Sequence, residues 1–139
     1  MASGTRLARE AGLETQGSFV QADAGRALPF EGDCFDALLC IDSINHLPDR
    51  ARVLADWARA LRPGGRLLFT DPVTVNGNLD SDEIAVRTSI GFFLFVPRGE
   101  NERLLTEAGL EVLAVEDTTE HLAEVARRRH DARATHAEG

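Results

Sequence analysis

Lysine and tyrosine are absent from this 139-residue sequence, and all 15 basic side chains are arginine. That bias reads as codon usage in a GC-rich genome rather than as function. Basic residues are also outnumbered, with 23 acids giving a net charge of −8. Phosphate binding needs clustered positive charge to release counterions, so this balance argues against a nucleic-acid partner. The single basic run, Arg127-Arg128-Arg129, falls where a solvated helix face is expected. Cys34 and Cys40 form neither a disulfide framework nor a CxxC pair. His46, His121, His130 and His136 lack paired ligand spacing, so no metal site is expected. The opening MASGTRLAREAGL has no apolar core, and no run approaches the ~18 apolar residues of a membrane span. A soluble, cytoplasmic chain without a membrane partner is predicted. No phosphate-binding P-loop and no Gly-x-Ser-x-Gly elbow occurs.

What is present is an alternation of short strands and helices. Arg6 to Ala11 reads as a helix ended by Gly12, and Phe19 to Ala22 as a short strand closed by Asp23. Leu28-Pro29-Phe30 is a tight apolar segment before a turn at Glu31-Gly32-Asp33. Phe35 to Ile41 is apolar except for Asp36 and does not alternate, which predicts a parallel strand buried on both faces. Asp49 is a plausible N-cap for a helix in which Val53, Leu54, Trp57, Ala58 and Leu61 share one face. Arg52, Asp56 and Arg59 fall outside that face. Pro63-Gly64-Gly65 stops the helix, and Arg66 to Thr70 is the next strand. A loop follows around Asn76-Gly77. The run from Ile90 to Val96 is an aromatic cluster without periodicity. A helix over Glu100 to Ala108, a strand over Leu110 to Val115 and a final helix from about Glu120 to Arg133, capped by Asp117 to Thr119, complete the pattern. The class is α/β, with a mainly parallel sheet flanked by helices.

Polar residues concentrate where the strand over Phe35–Ile41 ends. Asp42, Ser43, Asn45 and His46 separate it from the next helix, and in open α/β sheets ligands bind beyond the carboxyl ends of the strands. An acid at Asp42 either meets a ligand or caps the helix. His46 has the pKa range of a general base, or it packs in the loop and bonds the backbone. Asp23 has a bland alternative of its own, capping the following turn through backbone amides. Phe92, Phe93 and Phe95 either wall a pocket or fill a core.

Four segments carry a family resemblance: Gln21-Ala22-Asp23-Ala24, Phe35-Asp36 into Cys40-Ile41-Asp42, Leu61-Arg62-Pro63-Gly64-Gly65-Arg66-Leu67, and Glu107-Ala108-Gly109-Leu110. In order and spacing they resemble the class I S-adenosylmethionine-dependent methyltransferases, over about residues 6 to 125. The resemblance implies a Rossmann-like fold with S-adenosylmethionine as cofactor and a small-molecule methyl acceptor. It implies cofactor contacts from Asp23 and Ala24 (adenine) and from Cys40, Ile41 and Asp42 (methionine). It implies His46 as the catalytic base, with Asn45 and Asp71 on the substrate side. His46-Leu47-Pro48-Asp49 together with Phe69-Thr70-Asp71-Pro72 looks most like the sarcosine and dimethylglycine N-methyltransferases, which points to an amine acceptor.

The family's D/E-x-G-x-G cofactor turn is not in this sequence. None of its 12 glycines makes Gly-x-Gly, and the acid that would hold the ribose is absent too. The expectation is a single methyltransferase-like domain over residues 1–139 that lacks the first two strands and first helix, on the order of 40 residues, and a final strand. Two functions then compete: part of a methyltransferase, inactive alone, or a non-catalytic relic or interaction module. An open sheet edge would also invite self-association.

Overall fold

The computed structural model describes residues 2–72, 74–75, 78, 80–88 and 94–137. Its elements are α1 (Ala2–Glu10), β1 (Phe35–Cys40), one 3₁₀ turn (Ile44–His46), α2 (Arg50–Ala60), β2 (Leu61–Phe69), β3 (Thr74–Val75), α3 (Ser81–Thr88), β4 (Val96–Pro97), α4 (Glu100–Glu107) and α5 (Thr119–Ala137). Strands β1 and β2 pair in parallel, and a two-residue parallel ladder joins β3 to β4. A parallel pair needs a crossover connection, and α2 supplies it.

Helix α2 forms where the 3.6-residue period places Val53, Leu54, Trp57 and Ala60 together, and all four are buried. With Ile44 and Leu104 they make the core, flanked by Leu38, Cys40, Leu67 and Phe69 from the sheet. Trp57 meets Phe69 edge-on, with ring centroids 6.2 Å apart. Burying a side chain of this size contributes about 1.5–3 kcal/mol, so α2 is the element the sheet is organised around.

The turn from α2 into β2 is tighter than a helix stop followed by a fresh strand. Pairing starts at Phe35 with Leu61, then skips to Ala37 with Arg66. Residues 62 to 65 are taken up in this irregularity, where Gly64 adopts φ +79°. A Cβ on Gly65 would lie 2.9 Å from the Arg62 carbonyl and 3.3 Å from that of Asp36, so only glycine lets the two strands meet.

The polar stripe of α2 has a role that its position outside the apolar face conceals. Arg52 donates to the Gly25 carbonyl, Asp56 accepts the Leu28 amide at 2.6 Å, and Arg59 donates to the Phe30 carbonyl at 2.9 Å. The spacing of 52, 56 and 59 is helical, so one edge of α2 serves as a rail for segment 25–34. That segment needs the rail because it has no ladder of its own to satisfy its backbone.

Three expectations are corrected. Phe19–Ala22 is not a strand; it is exposed irregular chain, with Phe19 50% and Val20 56% accessible. Leu110–Val115 is also irregular rather than a strand. In both cases apolar patterning marks extended chain, but a strand exists only where a neighbour takes its backbone bonds. The anticipated four-stranded sheet is therefore two strands. Nor is Phe35–Ile41 buried on both faces. Leu38 and Cys40 turn toward α2, while Leu39 is 65% exposed beside its register partner Leu68 at 61%. The expected helix starts hold, with Asp49 accepting the Arg52 amide at the start of α2 and Asp117 accepting from Thr119 at the start of α5, but α2 ends at Ala60, before Pro63-Gly64-Gly65, and Leu61 opens β2 instead of completing the helix face. Asn76-Gly77, Phe92 and Phe93 lie outside the described residues; Phe95 is half-buried. Among the described residues no helix is long and apolar enough to cross a membrane, and no cluster of side chains is suited to a metal ion.

Candidate functional site

The carboxyl ends of β1 and β2 are stitched together. The Thr70 amide donates to the Cys40 carbonyl at 3.0 Å. The Asp42 amide donates to Thr70 Oγ1 at 2.9 Å, and that hydroxyl donates to Asp42 Oδ1 at 2.7 Å. Asp42 sits at φ +49°, a left-handed conformation that aspartate tolerates better than most side chains. The kink turns the chain out of the strand, and Ser43 Oγ bonds back to the Ile41 carbonyl at 2.9 Å.

The 3₁₀ turn is anchored by Ile44, which is fully buried. Asn45 is buried beside it at 1% exposure, and its carbonyl accepts the Leu94 amide at 2.9 Å. His46 is exposed, with Nε2 3.3 Å from Asn45 Nδ2. One apolar and two polar residues in a single turn thus place a buried amide against a solvent-facing imidazole.

Under this turn lies a buried ion pair that sequence reasoning did not find. Arg50 Nη1 donates to Asp71 Oδ2 at 2.5 Å, and both side chains are almost wholly buried. Asn101 of α4 completes it, accepting from Arg50 at 2.8 Å and donating to Asp71 at 2.9 Å. Arg50 Nη2 also reaches the Leu94 carbonyl at 3.4 Å. Buried charges persist only when paired and hydrogen-bonded, and this cluster pins α2, the end of β2 and α4 to one another. The available sequence signal was an arginine just inside a helix start and an acid just past a strand. Nothing in their spacing reveals that they meet.

The predicted residues fall as follows. Asp42, Asn45 and His46 lie together at the end of β1, with Thr70 added from β2. Asp71 is adjacent, with its carboxylate committed to Arg50 and Asn101. Cys40 is half-buried under the turn; burial raises its thiol pKa, opposed by the backbone amides of Ser43 and Ile44 and by the Arg50 charge. Ile41 is exposed at 49%. Asp23 accepts the Gly25 amide at 2.9 Å and pairs with Arg26 at 3.2 Å, the turn-capping geometry. The same turn leans on the loop before α2, because a Cβ on Gly25 would lie 3.3 Å from Pro48 Cδ. Asp23 and its exposed neighbour Ala24 are thereby brought toward the 42–48 loop from a distant part of the chain.

Residues 2–69 match a family model described as a methyltransferase domain. The methyltransferase GfsG of Streptomyces halstedii is 39% identical over 118 residues, covering 81% of this chain and 41% of that protein. The 27-O-demethylrifamycin SV methyltransferase of Amycolatopsis mediterranei is 36% identical over 82% of this chain and 43% of its own length. The glycine/sarcosine/dimethylglycine N-methyltransferase of Actinopolyspora halophila is 31% identical over 84% of this chain and 20% of its own length. Among solved structures, a phosphoethanolamine N-methyltransferase of Haemonchus contortus, in complex with S-adenosylhomocysteine, superposes with a TM-score of 0.67 at 25% identity, covering 84% of this chain and 28% of that one. The chain spans about two fifths of the length of the first two relatives. On this domain match and these relatives, the chain belongs to the S-adenosylmethionine-dependent methyltransferase family.

Proposed function

We propose that this chain carries the acceptor side of a methyltransferase site and takes part in methyl transfer from S-adenosylmethionine to a small-molecule amine. The observation that supports the reading most is the convergence of Asp42, Asn45, His46 and Thr70 at the ends of two parallel strands. Methyl transfer needs a lone pair aligned on the methyl carbon and water excluded. It also needs the acceptor's proton removed, and His46 is the base in this reading. Asp42, held by Thr70, helps bind the acceptor amine or the amino group of the cofactor, with Cys40 and Ile41 lining the methionine side. Asp23 and Ala24 reach the adenine. Asn45 and Asp71 belong to the acceptor side, Asp71 by fixing the end of β2 through Arg50. The relatives favour a small acceptor but divide over its reacting atom, one being named for an oxygen and another for amines. The amine assignment is therefore decided by assay: transfer to hydroxyl acceptors alone would overturn it.

The residues present fit the methionine and adenine ends of the cofactor better than its ribose, because the sequence has no Gly-x-Gly turn. Two or three hydrogen bonds to charged groups, at about 1.5–3 kcal/mol each, amount to roughly three orders of magnitude in affinity. The 139-residue chain alone is expected to bind S-adenosylmethionine at millimolar strength or not at all, and not to turn over. Isothermal titration calorimetry checks this, and micromolar binding would refute it. Supplied with a segment bearing the glycine turn, the enzyme should lose roughly 10²–10⁴-fold in turnover on His46→Ala; unchanged turnover across pH removes His46 from the mechanism. A second reading, a non-catalytic interaction module, is favoured by the exposed Leu39–Leu68 face, through which the chain would self-associate. Sedimentation at increasing concentration separates the two, because the module reading requires association together with no cofactor binding in any context.

A further inference from the structure

Among the described residues three side-chain-bearing positions have positive φ, and all three are aspartates: Asp33 at +54°, Asp42 at +49° and Asp49 at +54°. A left-handed conformation at such a position costs free energy and persists where the surroundings hold it. Asp49 is held by its own helix, whose Arg52 amide it accepts. Asp33 donates its amide to the Arg59 carbonyl at 3.0 Å. Asp42 is closed differently, by a side chain at the end of another strand. The Thr70 hydroxyl accepts the Asp42 amide at 2.9 Å and donates to Oδ1 of the same residue at 2.7 Å. One hydroxyl thus fixes both the backbone and the carboxylate of a single aspartate.

A hydroxyl carries one proton, so it donates once. Here the proton goes to Oδ1, and among the described residues Oδ2 of Asp42 accepts no hydrogen bond. Thr70 is itself anchored on both sides. Its amide donates to the Cys40 carbonyl at 3.0 Å and carries the ladder one step past β2. The next residue, Asp71, is locked to Arg50 and Asn101. Branching at Cβ restricts χ1 further. The direction of the hydroxyl is therefore set by the sheet and the ion pair rather than by the exposed loop.

We infer that Thr70 is a positioning residue that holds Asp42 in its left-handed conformation and turns the carboxylate so that Oδ1 is occupied and Oδ2 is offered to the amine. The inference rests on the proposed role of Asp42 in binding an amine, and adds which oxygen does so and what aims it. An acid at an exposed strand end would otherwise sample several rotamers, each placing its charge differently. Orienting it beforehand lowers the ordering cost of binding. A carboxylate with one oxygen already engaged suits a small ammonium group, which is held by single N–H bonds. It does not suit a guanidinium, whose fork takes both oxygens.

The test compares Thr70→Val, which keeps the shape and loses the hydroxyl, with Thr70→Ser, which keeps the hydroxyl and loses the methyl. In the isotopically labelled chain, positive φ at Asp42 is read from a strong intraresidue amide–α-proton NOE, and the side chain from its Hα–Hβ couplings. The wild type should show positive φ and a single rotamer. Thr70→Val should lose both, and its Asp42 amide should exchange up to roughly tenfold faster for the hydrogen bond removed. Thr70→Ser should match the wild type. A residue that merely closed the strand end would be replaced as well by valine. The NOEs of Asp33 and Asp49 report whether each variant keeps its fold. A wild-type Asp42 averaged over rotamers overturns the inference, as does Thr70→Val matching the wild type or Thr70→Ser departing from it. Should Thr70→Val unfold the chain, the wild-type rotamer and Thr70→Ser decide. None of these readouts needs turnover. Transfer to hydroxyl acceptors alone would remove the amine from Oδ2 and leave the Thr70–Asp42 signature standing, so the two failures are distinguishable.

Discussion

The two faces of the β1–β2 sheet are built from the same kinds of residue and end in opposite environments. Toward α2, Leu38, Cys40, Leu67 and Phe69 close on Val53, Leu54 and Trp57. On the other side Leu39 and Leu68 stand next to each other at more than half exposure, with Ile41 beyond them. Composition does not distinguish these faces, since leucine dominates both. What distinguishes them is a connection. Helix α2 is joined to both strands and has to pack on one side of the sheet, while nothing described here packs on the other. The difference teaches that a strand's apolar run reports what it can bury, and that burial depends on the elements around it.

The ion pair is the strongest test of the side that is packed. Arg50→Ala leaves the buried Asp71 carboxylate without its cation, and loss of one partner of a buried pair costs about 3–5 kcal/mol. Urea denaturation should show a large fall in midpoint. A change comparable to that of an exposed substitution would mean that the cluster is solvated and that α4 is not pinned by it.

A matched pair of leucines breaks the comparison most directly. Leu54→Ala, in the core, should lose about 2–5 kcal/mol. Leu39→Ala, on the open face, should stay within about 0.5 kcal/mol. Equal losses in denaturation experiments would show that the open face is buried in solution, and a rise in sedimentation coefficient with concentration would name a second copy as the cover.

Smallest are the effects of pH, which act on two helix starts at the acid end of the scale and on the packed face of β1 at the alkaline end. The Arg103 hydrogen bond lowers the pKa of Glu100 from its ordinary 4.5, and the Thr119 hydroxyl and amide lower that of Asp117 from 3.8. For a lowered carboxylate the stabilisation is present above the ordinary value and lost as pH falls through the folded one. Acid should therefore loosen the starts of α4 and α5 first. Cys40 goes the other way, since burial raises its thiol from 9.0; its contribution is complete below that value and is lost as pH rises through the folded one. Alkali should act on β1. Helical circular dichroism against pH, with Cys40→Ala to remove the alkaline limb, checks both signs. An alkaline limb that survives Cys40→Ala would remove the thiol as its cause.

Local order was legible in the sequence wherever one residue type settles the backbone. The period of Val53, Leu54 and Trp57 marks α2, Asp49 its start, Gly64-Gly65 the irregularity near the start of β2, and Gly109 at φ +85° the end of α4. Patterning also gave the parallel crossover, because two apolar runs joined by one amphipathic helix have few other solutions. The polar residues at the end of β1 announced the candidate site for a related reason: a side chain such as Asp42 or His46 after a buried strand needs a purpose. What the sequence could not give is whatever depends on residues far apart meeting. Arg50 with Asp71 and Asn101, the rail from Arg52 to Arg59, and the amide of Asn45 against His46 are matters of register and side-chain direction. So is the failure of Phe19–Ala22 and Leu110–Val115 to become strands. A strand is completed by its neighbour, and periodicity along one segment carries no information about whether that neighbour is there.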